Sequence, residues 1–460
     1  MQQSHAELNL LYQALQKIHP GLYEFITADS LQREYQKIQQ NLPSSTHIYD
    51  FYVTLRKFIA SIKDGHTVIL PPRSFVKELI KKGKFVPFFI KFYQERIYID
   101  QYLGADSALQ KGYEILKIDS IQLDSFVQNL LPQMPADGDN VEFQRTSLES
   151  FFGFYLAEKI GFPDSICVYY KTQNQDSIAS KKIALLKFSE IKKSSKYQIN
   201  NKKKHPIHLE WLQDSSFALL RINSFEWYKN IPRSFNKTLE KKMKEIANHS
   251  PKALIIDLRE NGGGQILLSM RLFSYFCDSL FPLVSYTQIN QKQFIIQAQS
   301  NSNKRKTYKF KPFGWFNSLW IEKNQVTSRF QIRPALTYNL PAKKYCYKGK
   351  FYILCGPNTF SSAAFFCSLA RQHTQAILVG EETGGGYYGT SAGTWVKLVL
   401  PHSKIIVHIP TILFRLNVSG VPFGKGVPPH IPYTPTFEDK FWGKDSILDF
   451  ILQHHENLSR

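Results

Sequence analysis

Three short stretches of this 460-residue chain bring together residue types that can do covalent chemistry. GPNTFSSAAFF, residues 356–366, puts two serines, Ser361 and Ser362, where a loop runs into an apolar helix. The N–H groups of a first helical turn have no intrahelical partner and can hold a developing oxyanion beside a nucleophile. A serine there is also a good N-cap, so of the two one can cap while the other attacks. NGGG, residues 261–264, offers glycines that let a second backbone N–H approach without a Cβ in the way. A serine nucleophile needs a base. Among thirteen histidines His66 stands apart, because DGHT, residues 64–67, follows Asp-Gly at the end of a helical run, where a turn can project the ring. The chemistry on offer is attack of a serine on an acyl carbon with a histidine as base.

The elements that must position these residues read as follows. AELNLLYQALQKI, SLQREYQKIQQNL and IYDFYVTLRKFIASI repeat apolar residues at helical spacing over residues 5–63, with Asp29 or Ser30 able to cap the second. KFVPFFIKFYQERIYIDQYL predicts two strands and a turn, and DSALQKGYEILKIDSIQLDSFVQNLL a strand, a tight turn and a helix. Residues 140–160 read as helix, 165–222 as short strands with Lys/Ser/Asn-rich loops, and 189–206 as an exposed loop. After residue 232 the pattern is α/β, and ALIIDL reads as a strand buried on both faces. RENGGG, GPNTFSSA and EETGGG each follow such a strand, at the carboxyl end where α/β sheets gather their sites. The aromatic and basic insertion at about 289–345 is long enough for a flap or hairpin over a site.

Composition bounds the rest. The chain is 43% apolar, 14% aromatic and 21% charged, as a folded multidomain protein would be. No apolar run approaches the roughly 18 to 20 residues that span a membrane. MQQSHAELNLL lacks the basic end and apolar stretch of a signal peptide. A net charge of +21, from 58 Lys plus Arg against 37 Asp plus Glu, favours anionic partners. The lysines fall in short separate runs, and zinc-finger spacing, an RNP-like motif and a basic heptad helix are all missing, so specific nucleic-acid binding is not expected. The five cysteines contain no CxxC.

HPGLYEF, IKDGHT, DSALQKGYEILKIDS, LIIDLRENGGG, NTFSSAAFF, LVGEETGGG and GKGVPPHIPYTP occur in that order. Together they resemble the tail-specific and C-terminal-processing proteases and the tricorn core, a superfamily of serine peptidases. The resemblance implies an α+β / α/β multidomain fold in three parts. These are a helical N-terminal domain over 1–80, a PDZ-like β module with extension over 81–205, and an α/β (ClpP/crotonase-like) core over 206–460. It implies Ser362 as nucleophile with Ser361 as neighbour or cap, His66 as base, and Gly263, Gly264 and Ala363 as oxyanion donors. Glu381, Glu382 and Asp64 are the candidates to orient His66, with Glu381 put first.

The chain also departs from the family. Where processing proteases place a catalytic lysine it reads Gly384-Gly385-Gly386-Tyr387, Phe365 stands where glutamate is usual, and His430 stands where Asp is expected. Lys425, in FGKGV, resembles the Gly-Lys-Gly setting of that lysine but lies in another segment. These departures motivate the rival expectation of a weakened, peptidase-like binding protein. No metal or organic cofactor is expected, the partner is a peptide or protein substrate, and the expected place is periplasmic or secreted.

Overall fold

The structure is a computed structural model that describes residues 2–43, 46–104, 109–172, 175–194, 206–226, 232–277, 283–299, 305–311, 321–324, 329–332 and 343–458. Its centre is a six-stranded sheet in the order Ile207–Leu212, Phe217–Ile222, Ala253–Asp257, Lys350–Cys355, Ile377–Gly380, Ile431–Pro432. The first pair is antiparallel and every later pair is parallel. Alternate residues of ALIID feed opposite faces, which is why the segment reads as an unbroken apolar run. Leu254 and Ile256 join the helices Pro232–His249, Ile266–Phe273 and Ser362–His373. Ala253 and Ile255 join the closing helix Ser446–His454 on the other face. The parallel order puts the three glycine- and serine-bearing loops at one end of the sheet.

A second sheet is built on the long strand Ile406–Leu416, which pairs antiparallel with Val68–Leu70, Val284–Gln288 and Gly389–Val399. The N-terminal helices Gln2–Ile18, Ala28–Asn41 and Ile48–Ala60 lie on it. Leu8, Leu11, Leu15 and Phe58 share one buried core with Val396, Leu398, Val407 and Ile409. The helical start of the chain is thus welded to strands more than 300 residues later. The second helix is capped by Thr27, whose hydroxyl accepts the Ser30 N–H, and not by Asp29 or Ser30.

A third sheet holds Phe88–Tyr93, Arg96–Tyr102, Glu114–Ile118, Ser165–Thr172 and Gln175–Ala184, with Ile121–Gln122 paired to the third of these. The helices Leu123–Leu130 and Val141–Ile160 close its own core around Ile99, Ile115, Leu148 and Phe152. In the stretch expected as an exposed loop, Phe188–Lys193 forms a short helix whose Glu190 carboxylate accepts the Lys187 N–H, while 195–205 lies outside the described residues.

In the insertion, Phe294–Gln299 and Arg305–Phe310 form a hairpin. Phe294 and Ile296 sink into the core of the N-terminal helices, and Lys17 Nζ donates to Ile295 O at 3.4 Å. This described part clamps the first helix. The rest of the stretch expected as a flap, at 300–304, 312–320, 325–328 and 333–342, lies outside the described residues. No described helix is long and apolar enough to cross a membrane. All five cysteines are free, and Cys355 and Cys367 are buried.

Candidate active site

The three loops at the end of the central sheet are stitched into one surface. Thr359 Oγ1 donates to Leu258 O at 2.9 Å, Phe360 N to Asn261 O at 3.1 Å, and Gly385 N to Thr359 O at 3.2 Å. At their meeting point stands Ser361, just outside the helix Ser362–His373, with φ 53° and ψ −126°. A non-glycine residue held there carries about 1–3 kcal/mol of backbone strain, kept only because the surroundings fix it. Glycine is required on both sides. A Cβ on Gly263, whose φ is 99°, would lie 2.6 Å from Ser361 Cβ, and one on Gly385 would lie 2.8 Å from Ser361 N.

His66 reaches this point from the other end of the chain. Its Nε2 lies 3.0 Å from Ser361 Oγ and its Nδ1 2.9 Å from Thr390 Oγ1. When Nδ1 carries the proton and donates to Thr390, Nε2 presents its lone pair to the Ser361 hydroxyl. The ring stacks on Phe360 (centroids 4.7 Å apart, planes at 19°), and Phe360 stacks on Phe143 (4.3 Å, 12°). His66 is 9% exposed.

The DGHT turn has its own support. Asp64 Oδ1 accepts the N–H of His66 and of Thr67, both at 2.8 Å, while Oδ2 meets His19 Nε2 at 3.3 Å. Burial acts to raise the Asp64 carboxyl, but the facing His19, the His66 ring and these N–H donors hold it below the ordinary range. His19 follows the first helix and is 2% exposed, so HPGLYEF contributes a buried prop to the His66 turn.

Several expected roles must be reassigned. Ser362, expected as nucleophile, is 0% exposed and its hydroxyl is buried with no hydrogen-bond partner among the described residues. It sits inside the helix with Phe365, Phe366 and Leu369 at i+3, i+4 and i+7, on the stripe that faces the core. Two expected oxyanion donors are already engaged: Gly263 N donates to Asn261 Oδ1 at 2.9 Å and Ala363 N to Phe360 O at 3.0 Å. The backbone N–H groups of Ser362 and Gly264 make no hydrogen bond among the described residues.

The expected orienting glutamates lie elsewhere. Burial raises the Glu381 carboxyl, and no hydrogen bond joins it to His66 among the described residues. Glu382 Oε1 accepts the Gly426 N–H. His430 Nδ1 accepts Leu378 N at 3.0 Å, and Phe365 packs on Phe414, so both are framework.

Two residues at the site were not predicted. Thr390 lies 324 positions from His66 on the strand Gly389–Val399 and belongs to no motif. Asp137, in PADGDN, accepts Gly65 N at 2.8 Å with Oδ1 and Gly386 N at 3.2 Å with Oδ2. An oxygen of Asp64, an oxygen of Asp137 and a ring nitrogen of His66 lie within 4.8 Å of one another. This donor set is already engaged, since the Asp64 Oδ1 and both Asp137 oxygens take N–H donors and both ring nitrogens face hydroxyls.

Residues 216–433 match the family model described as Peptidase family S41. No curated protein matches the chain. Among solved structures, mature CPAF complexed with lactacystin is similar at 14% identity and TM-score 0.67, covering 98% of this chain and 97% of that one. Mature CPAF alone is similar at 13% identity and TM-score 0.67, covering 99% and 98%. A point mutant of CPAF is similar at 13% identity and TM-score 0.69, covering 99% and 98%. At such identities these likenesses show the mixed α/β multidomain fold.

Proposed function

We propose, from the premise that residues 216–433 are a peptidase family S41 segment, that this chain is a serine-type peptidase acting on peptides or proteins through Ser361 and His66. The observation that carries the reading is the 3.0 Å approach of His66 Nε2 to Ser361 Oγ. His66 takes the hydroxyl proton as Oγ attacks the peptide carbon, and a tetrahedral adduct forms. The N–H of Ser362, next to the nucleophile, and that of Gly264 are the donors left to receive its oxyanion. His66⁺ then gives its proton to the leaving amine, and His66 draws a proton from the water that frees the acyl group. We read the module of residues 88–184, with its separate core, as the PDZ-like part that offers a groove to the substrate.

Labelling with a fluorophosphonate, followed by peptide mapping, tests the assignment. The label is expected on Ser361, absent in Ser361→Ala and in His66→Ala, and retained in Ser362→Ala. A label on Ser362, or none on the wild-type protein alongside a blank screen of protein substrates, would end this reading.

A further inference from the structure

The Ser361–His66 pair has a neutral partner, Thr390 Oγ1, at the nitrogen where an imidazolium would be steadied best by an anion. A hydroxyl can fix the tautomer and the ring plane, but it carries no net charge to offset the cation. Two buried carboxylates lie within 4.8 Å of the ring, and they are differently committed. Asp64 already faces His19 at 3.3 Å. Asp137, 2% exposed, has no cationic side chain bonded to it among the described residues, and both its oxygens are held by backbone N–H groups.

Resting on the reading above, we propose that Asp137 is the charged positioning residue of the site: it pins the His66 turn to the 384–386 loop and offsets the charge of His66 when it takes the serine proton. The turn is built to hold it still. Gly138 N donates to Lys63 O at 3.0 Å, Asn140 Nδ2 donates to Thr383 O at 2.8 Å, and Gly138, with φ 68°, lies so close to Gly424 that a Cβ would sit 2.3 Å from its carbonyl oxygen. The turn at 137–140 thus touches the His66 loop and the loop beside Ser361. The carboxyl is held above the ordinary range by burial and by Asp64, while His66 and the two N–H donors act against that. The other charged groups around the ring are Asp64 with His19 behind it and, further out, the exposed Lys63–Asp139 pair.

The experiment is the rate of fluorophosphonate labelling of Ser361 against pH in wild type, Asp137→Asn and Asp137→Glu. Asn keeps one acceptor and the size of the side chain but removes the charge. It should slow labelling by about 10- to 100-fold and move the acid limb to lower pH, because the imidazolium loses its anion. Glu should keep the limb near its wild-type place. An Asn variant that folds, labels within about twofold of wild type and keeps the same limb overturns the inference while leaving Ser361 as nucleophile. Wild-type protein that labels elsewhere overturns the underlying reading instead.

Should Asp137→Asn fail to fold, Asp137→Ser takes its place, since it too removes the charge: it should slow labelling by about 10- to 100-fold, and a Ser variant that folds and labels within about twofold of wild type overturns the proposal.

Discussion

At the residue scale, the site turns on a difference of one position. The serine pair, the histidine and the glycine loops are all legible in sequence, but the choice between Ser361 and Ser362 is not made by motif order. It is made by the helix. Ser362 falls in register with Phe365, Phe366 and Leu369, so it faces the core, and the backbone before the helix is free to take the positive φ that presents Ser361. That periodicity is the signal that could have settled it. Ser362→Ala should therefore be active, and it should be more stable by about 1 kcal/mol, since it removes a buried hydroxyl with nothing to bond. Thermal melting beside the labelling rate measures both. Thr390→Val should slow labelling by about 10- to 100-fold, because the His66 tautomer and ring plane lose their anchor, while Thr390→Ser should keep most of the rate.

At the element scale, most helices and strands were legible because their apolar periods are regular. What was not legible is how loops from different elements meet. Asp137 lies 72 residues after Gly65 in a turn without a catalytic motif, and long-range contacts such as Gly138 N to Lys63 O and Asn140 Nδ2 to Thr383 O hold it at the site. Gly263→Ala and Gly385→Ala test the loop contact directly. Each Cβ would press on Ser361 or its helix, so labelling should fall by about 100-fold or more even in protein that still folds. The junction between the 88–184 module and the C-terminal segment carries its own titration. Glu149 is half-buried, accepts Phe92 N at 2.7 Å, and is pushed up by desolvation to about 7 against that N–H and the attraction of Lys440 and Lys91. Its folded-state value is raised, so its contribution is fully present below about 4.5 and is lost as pH climbs through about 7. Glu149→Gln should melt higher than wild type at pH 8, by at most roughly 3 kcal/mol in stability, and the gain should vanish at pH 4. A gain independent of pH would show that packing, not charge, is responsible.

At the scale of the whole molecule, the +21 charge is the one property read from composition alone that bears on substrate choice. Cleavage of an acidic protein should slow as salt rises from about 50 to 300 mM, and that of a neutral peptide should not. The succession of helical, strand-rich and α/β stretches along the chain was legible. The sharing of one core between residues 8–62 and 294–409 was not, because nothing local in either stretch names its partner. On the proposed reading, that sharing fixes when the molecule can act. His66 and Thr390 are 324 residues apart, and the strand carrying the second must pair with Ile406–Leu416 before it holds its place. At about 5–20 residues per second of synthesis, roughly 15 to 65 seconds separate the emergence of the two. Ser361 itself lies 295 residues after His66, so for most of that interval the histidine turn is made but, on the proposed reading, has no nucleophile to serve, and a working centre can assemble only once nearly the whole polypeptide is born.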